Sequence, residues 1–409
     1  MTEFTVSRLG LQGDGIAEGP VYLPLTLPGE RVSATVRDGR AEDIRIVHPS
    51  ERRVSAPCRH FRSCGGCQLQ HADDDFVAAW KTDLVRNALH AHGIETVFRP
   101  IETSPAGSRR RAGFAARRTK KGAMVGFHGR ASDTIIAIPD CVLLEAAVLE
   151  GRHVAEALAL VGASRKTALS VMITQMENGL DVSVSDGKPL DGPLRQQLAA
   201  ICENHALTRL TWGDEVIAMR APPRHMIGRA AVTPPPGAFL QATAHGEAAL
   251  TAGVLEITAG ASAIVDLFAG CGTFSLPLAE TAAVHAVEGD GAMMAALDAG
   301  WRHTEGLKVV TTETRDLFRR PLLPDELART DAVVLDPPRA GAEAQVAELV
   351  KTKVPKIAYV SCNPVSFARD AAVLVAGGWH LDHVQVVDQF RWSAHTELVA
   401  GFTAAHMRA

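Results

Sequence analysis

The chain has 409 residues, 46% of them hydrophobic and 22% charged, with a formal net charge of −4. That length is too great for one ordinary core and predicts two or three domains of a soluble globular protein, while the acidic balance excludes a uniformly basic nucleic-acid binder but not a local basic surface. No apolar run approaches the roughly 20 residues of a membrane helix, and the opening MTEFTVSRLG has no basic stretch followed by an apolar core, so a cytoplasmic protein without a membrane partner or signal peptide is expected.

Residues 1–52 read as all-β. Short alternating runs (FTVSRL, VYLPLTL, RVSATV, DIRIV) are cut by turn signals at Gly13-Asp14-Gly15, Pro28-Gly29-Glu30 and Asp38-Gly39. Four or five short strands in that length predict a small barrel of the oligonucleotide-binding kind. The next segment, Cys58 to His71, is a loop with three of the seven cysteines, Cys58, Cys64 and Cys67. In a cytosolic chain such a cluster is a metal-ligand set before it is a disulfide framework. Gly65 and Gly66 let the backbone turn around a metal, and a fourth ligand must come from elsewhere, Cys141 being the best placed. Four thiolates suit a [4Fe–4S] cluster or zinc, and the residues alone leave both open.

Asp73 to His90 predicts a helix, with Phe76, Trp80, Leu84 and Ala88 recurring on one face. From Thr103 to Ser132 there is no acidic residue, and Arg109, Arg110, Arg111, Arg117, Arg118, Lys120, Lys121 and Arg130 stand there. Such a stretch would hold phosphates by a sequence-independent electrostatic attraction. Strand-like and helical stretches mix as far as Pro234-Pro235-Pro236-Gly237, a linker candidate, so residues 53–235 are expected to form a mixed α+β central domain.

Residues 236–409 alternate strands and helices, the pattern of a doubly wound parallel α/β sheet. The expected strands are Ile264–Leu267, Val284–Glu288, Val309–Thr312, Ala332–Leu335 and Lys356–Val360, closed by a terminal pair near His380–Val387 and Leu398–Phe402. In VDLFAGCGTF an apolar strand runs into a glycine-containing turn. Gly270 and Gly272 permit close backbone approach to a ligand at the carboxyl end of the strand. Glu288, at the end of the next strand, is placed to accept both hydroxyls of a ribose. A third glycine, as in the dinucleotide fingerprint, is absent. Cys362, in YVSCNP behind a buried-looking strand, is a candidate nucleophile. Asp336 in LDPPRAG ends another strand. Glu397, in HTE after His395, is a candidate general base. A helix starting at Asn363-Pro364 would favour the thiolate of Cys362.

Together VDLFAGCGTF, LDPPRAG, YVSCNP and HTE resemble the uracil-5 methyltransferases that act on ribosomal and transfer RNA with S-adenosylmethionine, and the order of these motifs is the family's. The resemblance implies a seven-stranded class I methyltransferase domain, an N-terminal TRAM barrel, and 5-methyluridine made through a covalent adduct of Cys362 with C6 of the base, with Glu397 removing the C5 proton. It places Gln241, Phe268, Thr273, Glu288 and Asp336, and more weakly Asp316, at the methyl donor. It makes Cys58, Cys64, Cys67 and Cys141 the ligands of a [4Fe–4S] cluster, with zinc the alternative. It implies a monomer acting on RNA, ribosomal ahead of transfer RNA. Thr273 and Thr243 depart from the family's pattern, each standing where other members carry Asn. Two other readings are RNA cytosine-5 methylation, which lacks the HTE ending, and a non-catalytic RNA-binding protein.

Overall fold

The structure is a computed structural model and describes residues 1–407. Six short strands form the N-terminal sheet. The first stretch, Thr2 to Leu9, pairs at its start with Arg31–Arg37 and at its end with Gly15–Ala17, so one stretch of chain supplies both edge strands of the sheet. Val6, Leu23, Val32 and Ala34 fill it. The buried Glu30 anchors the barrel to the start of the central region, because Arg53 clasps that carboxylate and the carbonyl of Leu25.

The central sheet has seven strands in the order Ile135–Ala137, Ala123–His128, Arg111–Arg118, Leu169–Met176, Gly179–Ser185, Arg209–Trp212, Glu215–Met219. Its neighbours are antiparallel except Gly179–Ser185 with Arg209–Trp212. Helices Arg152–Gly162 and Gly192–Asn204 bury Val154, Leu158 and Leu198 against Phe114 and Val171.

The C-terminal sheet contains the seven predicted strands, each within two residues of its expected limits. In chain order they are Ala263–Leu267, Ala283–Glu288, Val310–Thr314, Ala332–Leu335, Lys356–Ser361, Trp379–Asp388 and Glu397–Ala404. Across the sheet they run third, second, first, fourth, fifth, seventh, sixth. The first five are parallel and the seventh is antiparallel to both its neighbours. Residues Val265, Val333, Ile357 and Tyr359 are buried on its covered faces, as a parallel sheet requires.

Two domain limits differ from the expected ones. Helix Asp74–His90 and the strands Val97–Phe98 and Glu102–Thr103 belong to the C-terminal sheet, not to the central domain. The two strands extend the sheet to nine by pairing with its sixth strand, and Val85, Leu89 and Ile94 enter its core. The hairpin His225–Ile227 and Ala230–Val232 also packs on this domain, against Cys271 and Leu276, so the central domain ends before residue 225. In both cases apolar side chains find their partners across a long stretch of chain, which local patterning does not record.

The helix forms over the expected residues, but its buried face is not the one that carries the aromatic repeat. Asp73 caps it by accepting from the Phe76 N–H at 2.7 Å. The buried stripe is Val77, Lys81, Val85 and Leu89, while Phe76, Trp80, Leu84 and Ala88 are half-buried along an open groove.

The basic segment is also partly internal. Arg110 is buried, pairs with Glu247 at 2.6 Å and donates to the Gln241 carbonyl. Arg111 donates to the Gly237 carbonyl, and Arg130 to the carbonyls of Phe61 and Cys67. Arg118, Lys120 and Lys121, at the hairpin tip, remain exposed. The exposed cations of the expected phosphate-binding run are those at that tip, while Arg109 and Arg117 are half-buried.

Candidate active site

The first strand ends at Leu267, and the chain then turns through Phe268, Gly270 and Gly272, all at positive φ (64°, 55° and 95°). At Gly272 a β-carbon would also lie 2.8 Å from Leu297, so glycine is required there on two counts. At Gly270 a β-carbon would meet nothing within 4 Å, which leaves the loop open towards the cavity. Phe268 is a non-glycine residue in the left-handed region, a strained conformation found where a site over-determines the backbone. Glu288 faces this loop, accepting from the N–H of Gly270 at 3.2 Å and of Asp290 at 3.0 Å. Beneath it Asp266 is fully buried and accepts from Ser275 Oγ at 2.5 Å. Burial pushes its carboxyl up to about 7.

The other side chains come from neighbouring strand ends. Asp336 follows the fourth strand. Cys362 follows the fifth and is half-buried. Asn363 caps the helix Pro364–Ala376 by accepting from Val365 N–H. It also donates to the Arg339 carbonyl at 2.9 Å, and so ties the Cys362 turn to the Asp336 turn. Glu397 is the first residue of the seventh strand and is buried. These strand ends enclose a cavity of about 770 Å³. Its walls include every predicted donor-site and catalytic residue: Gln241, Phe268, Thr273, Glu288, Asp336, Cys362 and Glu397. Asp316 lies there as well. Thr243 does not. It caps helix Ala244–Ile257, accepting from Gly246 N–H and meeting Ser104 Oγ at 2.8 Å, so its departure from the family's Asn affects a helix cap.

Gln389 was not singled out by sequence, yet it joins the site. Its amide donates to Glu397 and, at 2.5 Å, to Gln241 Oε1, and its oxygen accepts from Ala242 N–H at 2.7 Å. One buried amide thus fixes both the candidate base and a candidate cofactor ligand. A lone Gln between a strand and a loop carries no local signal of such a role. Arg109 and Phe390 also line the cavity, with the guanidinium 5.8 Å from the ring centre.

The electrostatics differ from the expectation at Cys362. Its thiol is pushed up, chiefly by burial and then by Glu397 and Asp336, and Arg339 opposes this only in part. Burial raises Glu397 to about 7, with the Gln389 amide working the other way. Asp336 is pushed well up by burial and by Glu397, Asp266 and Glu288. A cavity with this many crowded carboxyls fits a cationic ligand, whose charge would lower all of them together.

Lys81 braces the segment between the sixth and seventh strands. It is wholly buried, and its ammonium meets Asp388 Oδ1 at 2.5 Å and the carbonyls of Phe390 and His395 at 3.1 and 2.9 Å. Replacing Lys81 by Met leaves the buried Asp388 without its counter-charge. This is expected to lower stability by about 3–5 kcal/mol, measured as a shift in the urea midpoint at unchanged slope. Pairing it with Asp388→Asn should recover part of the loss.

Cys64 and Cys67 are buried, and Cys58 and Cys141 half-buried. Cys58, Cys67 and Cys141 pack with Phe61, Leu143 and Trp392. Cys67 is pushed up to about 12, first by burial and then by Cys141, Cys64 and Cys58, so all four thiols lie within electrostatic reach of one another. Among the described residues no three His, Cys, Asp or Glu side chains are grouped so as to hold one metal ion. His60 pairs with Asp140 at 2.7 Å and His71 stacks on Phe61, which gives both histidines structural roles.

Comparison with known proteins agrees with this architecture. Residues 302–402 match the family described as tRNA (Uracil-5-)-methyltransferase. An uncharacterized RNA methyltransferase of Brucella suis is 43% identical, covering 98% of this chain and 97% of its own. The 23S rRNA (uracil(1939)-C(5))-methyltransferase RlmD of Halomonas elongata is 31% identical, covering 97% of this chain and 88% of its own. Among solved structures, the Pyrococcus abyssi tRNA (uracil-54, C5)-methyltransferase, in complex with S-adenosyl-L-homocysteine, shares the fold. Its TM-score is 0.76 at 21% identity, with 98% of this chain and 100% of that chain covered. With near-complete coverage by a relative above 30% identity, and with the strand order and motif placement described, the chain belongs to the RNA uracil-5 methyltransferase family.

Proposed function

We propose that this S-adenosylmethionine-dependent enzyme methylates C5 of a specific uridine in RNA through a covalent Cys362–C6 adduct, with 23S ribosomal RNA as its substrate ahead of transfer RNA. The observation that carries this reading is the convergence of Cys362, Asp336 and Glu397 on one cavity with the Phe268–Thr273 loop. The preference for ribosomal RNA is supported by the similarity to the RlmD enzyme.

Gln241, Phe268, Thr273, Glu288 and Asp336 would hold the methyl donor. Glu288 is set to accept from its ribose, and the open backbone at Gly270 leaves room for it. S-adenosylmethionine supplies a methyl group on a cationic sulfonium, which suits a wall of carboxyls. Uracil C5 is a poor nucleophile until a sulfur adds to C6 and leaves an enolate. Cys362 provides that sulfur, adding to C6 as the thiolate after its proton has passed to solvent. Arg339, which favours the thiolate, borders the same cavity. After C5 has taken the methyl group, Glu397 removes the C5 proton, the C6–S bond breaks and the double bond is restored. Gln389 holds the carboxylate for this step.

The four cysteines are read as ligands of a [4Fe–4S] cluster. Four thiolates also suit one tetrahedral zinc, which stays the alternative. A cluster spreads its thiolates over different irons. Its place is structural, since the N–H groups of Gln68 and Leu69, just after Cys67, both donate to the Trp392 carbonyl in the segment leading to Glu397.

The test is methyl transfer from labelled S-adenosylmethionine to unmodified 23S rRNA and, separately, tRNA, with nucleoside analysis of the product and metal analysis of the protein. Label in 5-methyluridine of the ribosomal RNA is expected. Label in 5-methylcytidine would overturn the base assignment, label in tRNA alone the RNA class, and no label on either the catalytic reading. One zinc per chain without iron or sulfide would overturn the cluster.

A further inference from the structure

The helix Asp74–His90 carries two adjacent apolar stripes, one buried and the other only partly covered, with Phe76 and Trp80 touching the barrel side and Ala88 the sheet side. Val77, Val85 and Leu89 are buried, while Phe76, Trp80, Leu84 and Ala88 stay half-buried beside a groove of about 910 Å³. The barrel forms the opposite wall through Leu9 and Leu11, and Leu11 is 61% exposed. Leu11 and Leu84 face the groove outside these cores, and apolar side chains left there point to an occupant.

The groove leads to one place. It shares Cys362, Arg339 and His395 with the cavity described above, so the two meet at the nucleophile, one from the methyl-donor side and one from the barrel side. Arg8 and Arg339 stand on the groove, and among the described residues that line it Asp83 is the one acidic side chain. A surface of aromatic and aliphatic side chains with cations at its borders suits an unstacked nucleobase between two phosphates.

We infer that this groove receives the base of a nucleotide adjoining the target uridine, stacked on the Phe76–Trp80 stripe, while the target base itself turns into the cavity at Cys362. This rests on the RNA-methyltransferase reading and adds to it a binding site for the flanking strand. Flipping the target breaks its stacking with both neighbours. An apolar plate next to the nucleophile returns part of that lost stacking and so discriminates a splayed single strand from a paired one. Stacking on an aromatic side chain is expected to change RNA affinity by about tenfold or more.

The experiment uses Cys362→Ala protein, so that binding is read without turnover. Unmodified 23S rRNA carrying photoreactive 4-thiouridine is bound and irradiated, and the cross-linked peptides are identified. Cross-links on the peptide bearing Phe76 and Trp80 are expected. Cross-links confined to other parts of the chain would overturn the inference. Adding Trp80→Ala is expected to weaken RNA binding about tenfold while S-adenosylmethionine binding is unchanged. Because Trp80 also touches the barrel core, Leu11→Asp serves as a second variant at an exposed position, with the same expected loss. Full RNA affinity in both variants would sink the proposal. Failure of wild type to make 5-methyluridine, with the cross-links in place, would instead count against the catalytic reading.

Discussion

Replacing Cys362 by alanine is expected to abolish 5-methyluridine formation, by on the order of 10⁴-fold or more, while binding of S-adenosylmethionine and RNA persists. The loss should be this large because the thiol is the covalent catalyst and no other cysteine can substitute. Cys271 lines the same cavity but is buried, and its thiol is pushed up to about 12 by that burial and by Asp290 and Glu288. Burial, then Glu397 and Asp336, push the Cys362 thiol up. Occupation by a cationic donor should bring it down. Thiol titration by a chromophoric reagent, with and without S-adenosylhomocysteine or a sulfonium analogue, separates the two states. A faster reaction with the sulfonium than with the neutral thioether is the expected sign. Equal rates would mean that charge in the donor pocket does not reach the sulfur.

The second large effect belongs to Glu397. Glu397→Gln preserves the shape and an oxygen that can accept from Gln389, but cannot take a proton. Turnover should fall by about 10²–10⁴-fold, and the step blocked is the one after methyl transfer. Protein should therefore accumulate bound covalently to methylated RNA, seen as a denaturant-resistant band that carries the label. A drop in activity without that band would assign Glu397 a different role. In wild type the carboxylate form is needed, and the group titrates at about 7, so the rate of adduct resolution should rise with pH through 7 and then level. The same shift affects stability with a definite sign. A carboxyl whose folded value lies above its ordinary 4.5 favours folding most below that value. Its contribution is lost as pH rises through about 7.

The parallel strands were legible because each is a short apolar run closed by turn residues, and burial on both faces demands that composition. The catalytic residues were legible because they come directly after those runs. A strand end is a fixed point, so Cys362 after Ser361, Asp336 after Leu335 and Phe268 after Leu267 are delivered to one edge of the sheet whatever the rest of the chain does. Gln389, Lys81 and the paired limits of the domains were not legible. Gln389 acquires its role only because Gln241 and Glu397 arrive on either side of it. Lys81 looks like a solvated helix cation until Asp388, 307 residues away, meets it.

By itself, then, the amino-acid order determined the kinds of chemistry present and their place on the sheet edge, since strand, turn and nucleophile are encoded within a few residues of one another. Tertiary structure alone decided which charges are paired, which of two apolar stripes on one helix is buried, and how high the site carboxyls and thiol titrate. Those properties depend on what lies across a gap in space. Burial strips water from Glu397 and Asp336 and sets them beside Cys362, and it turns Arg110 from a phosphate ligand into a partner of Glu247, effects for which spacing along the chain has no signature.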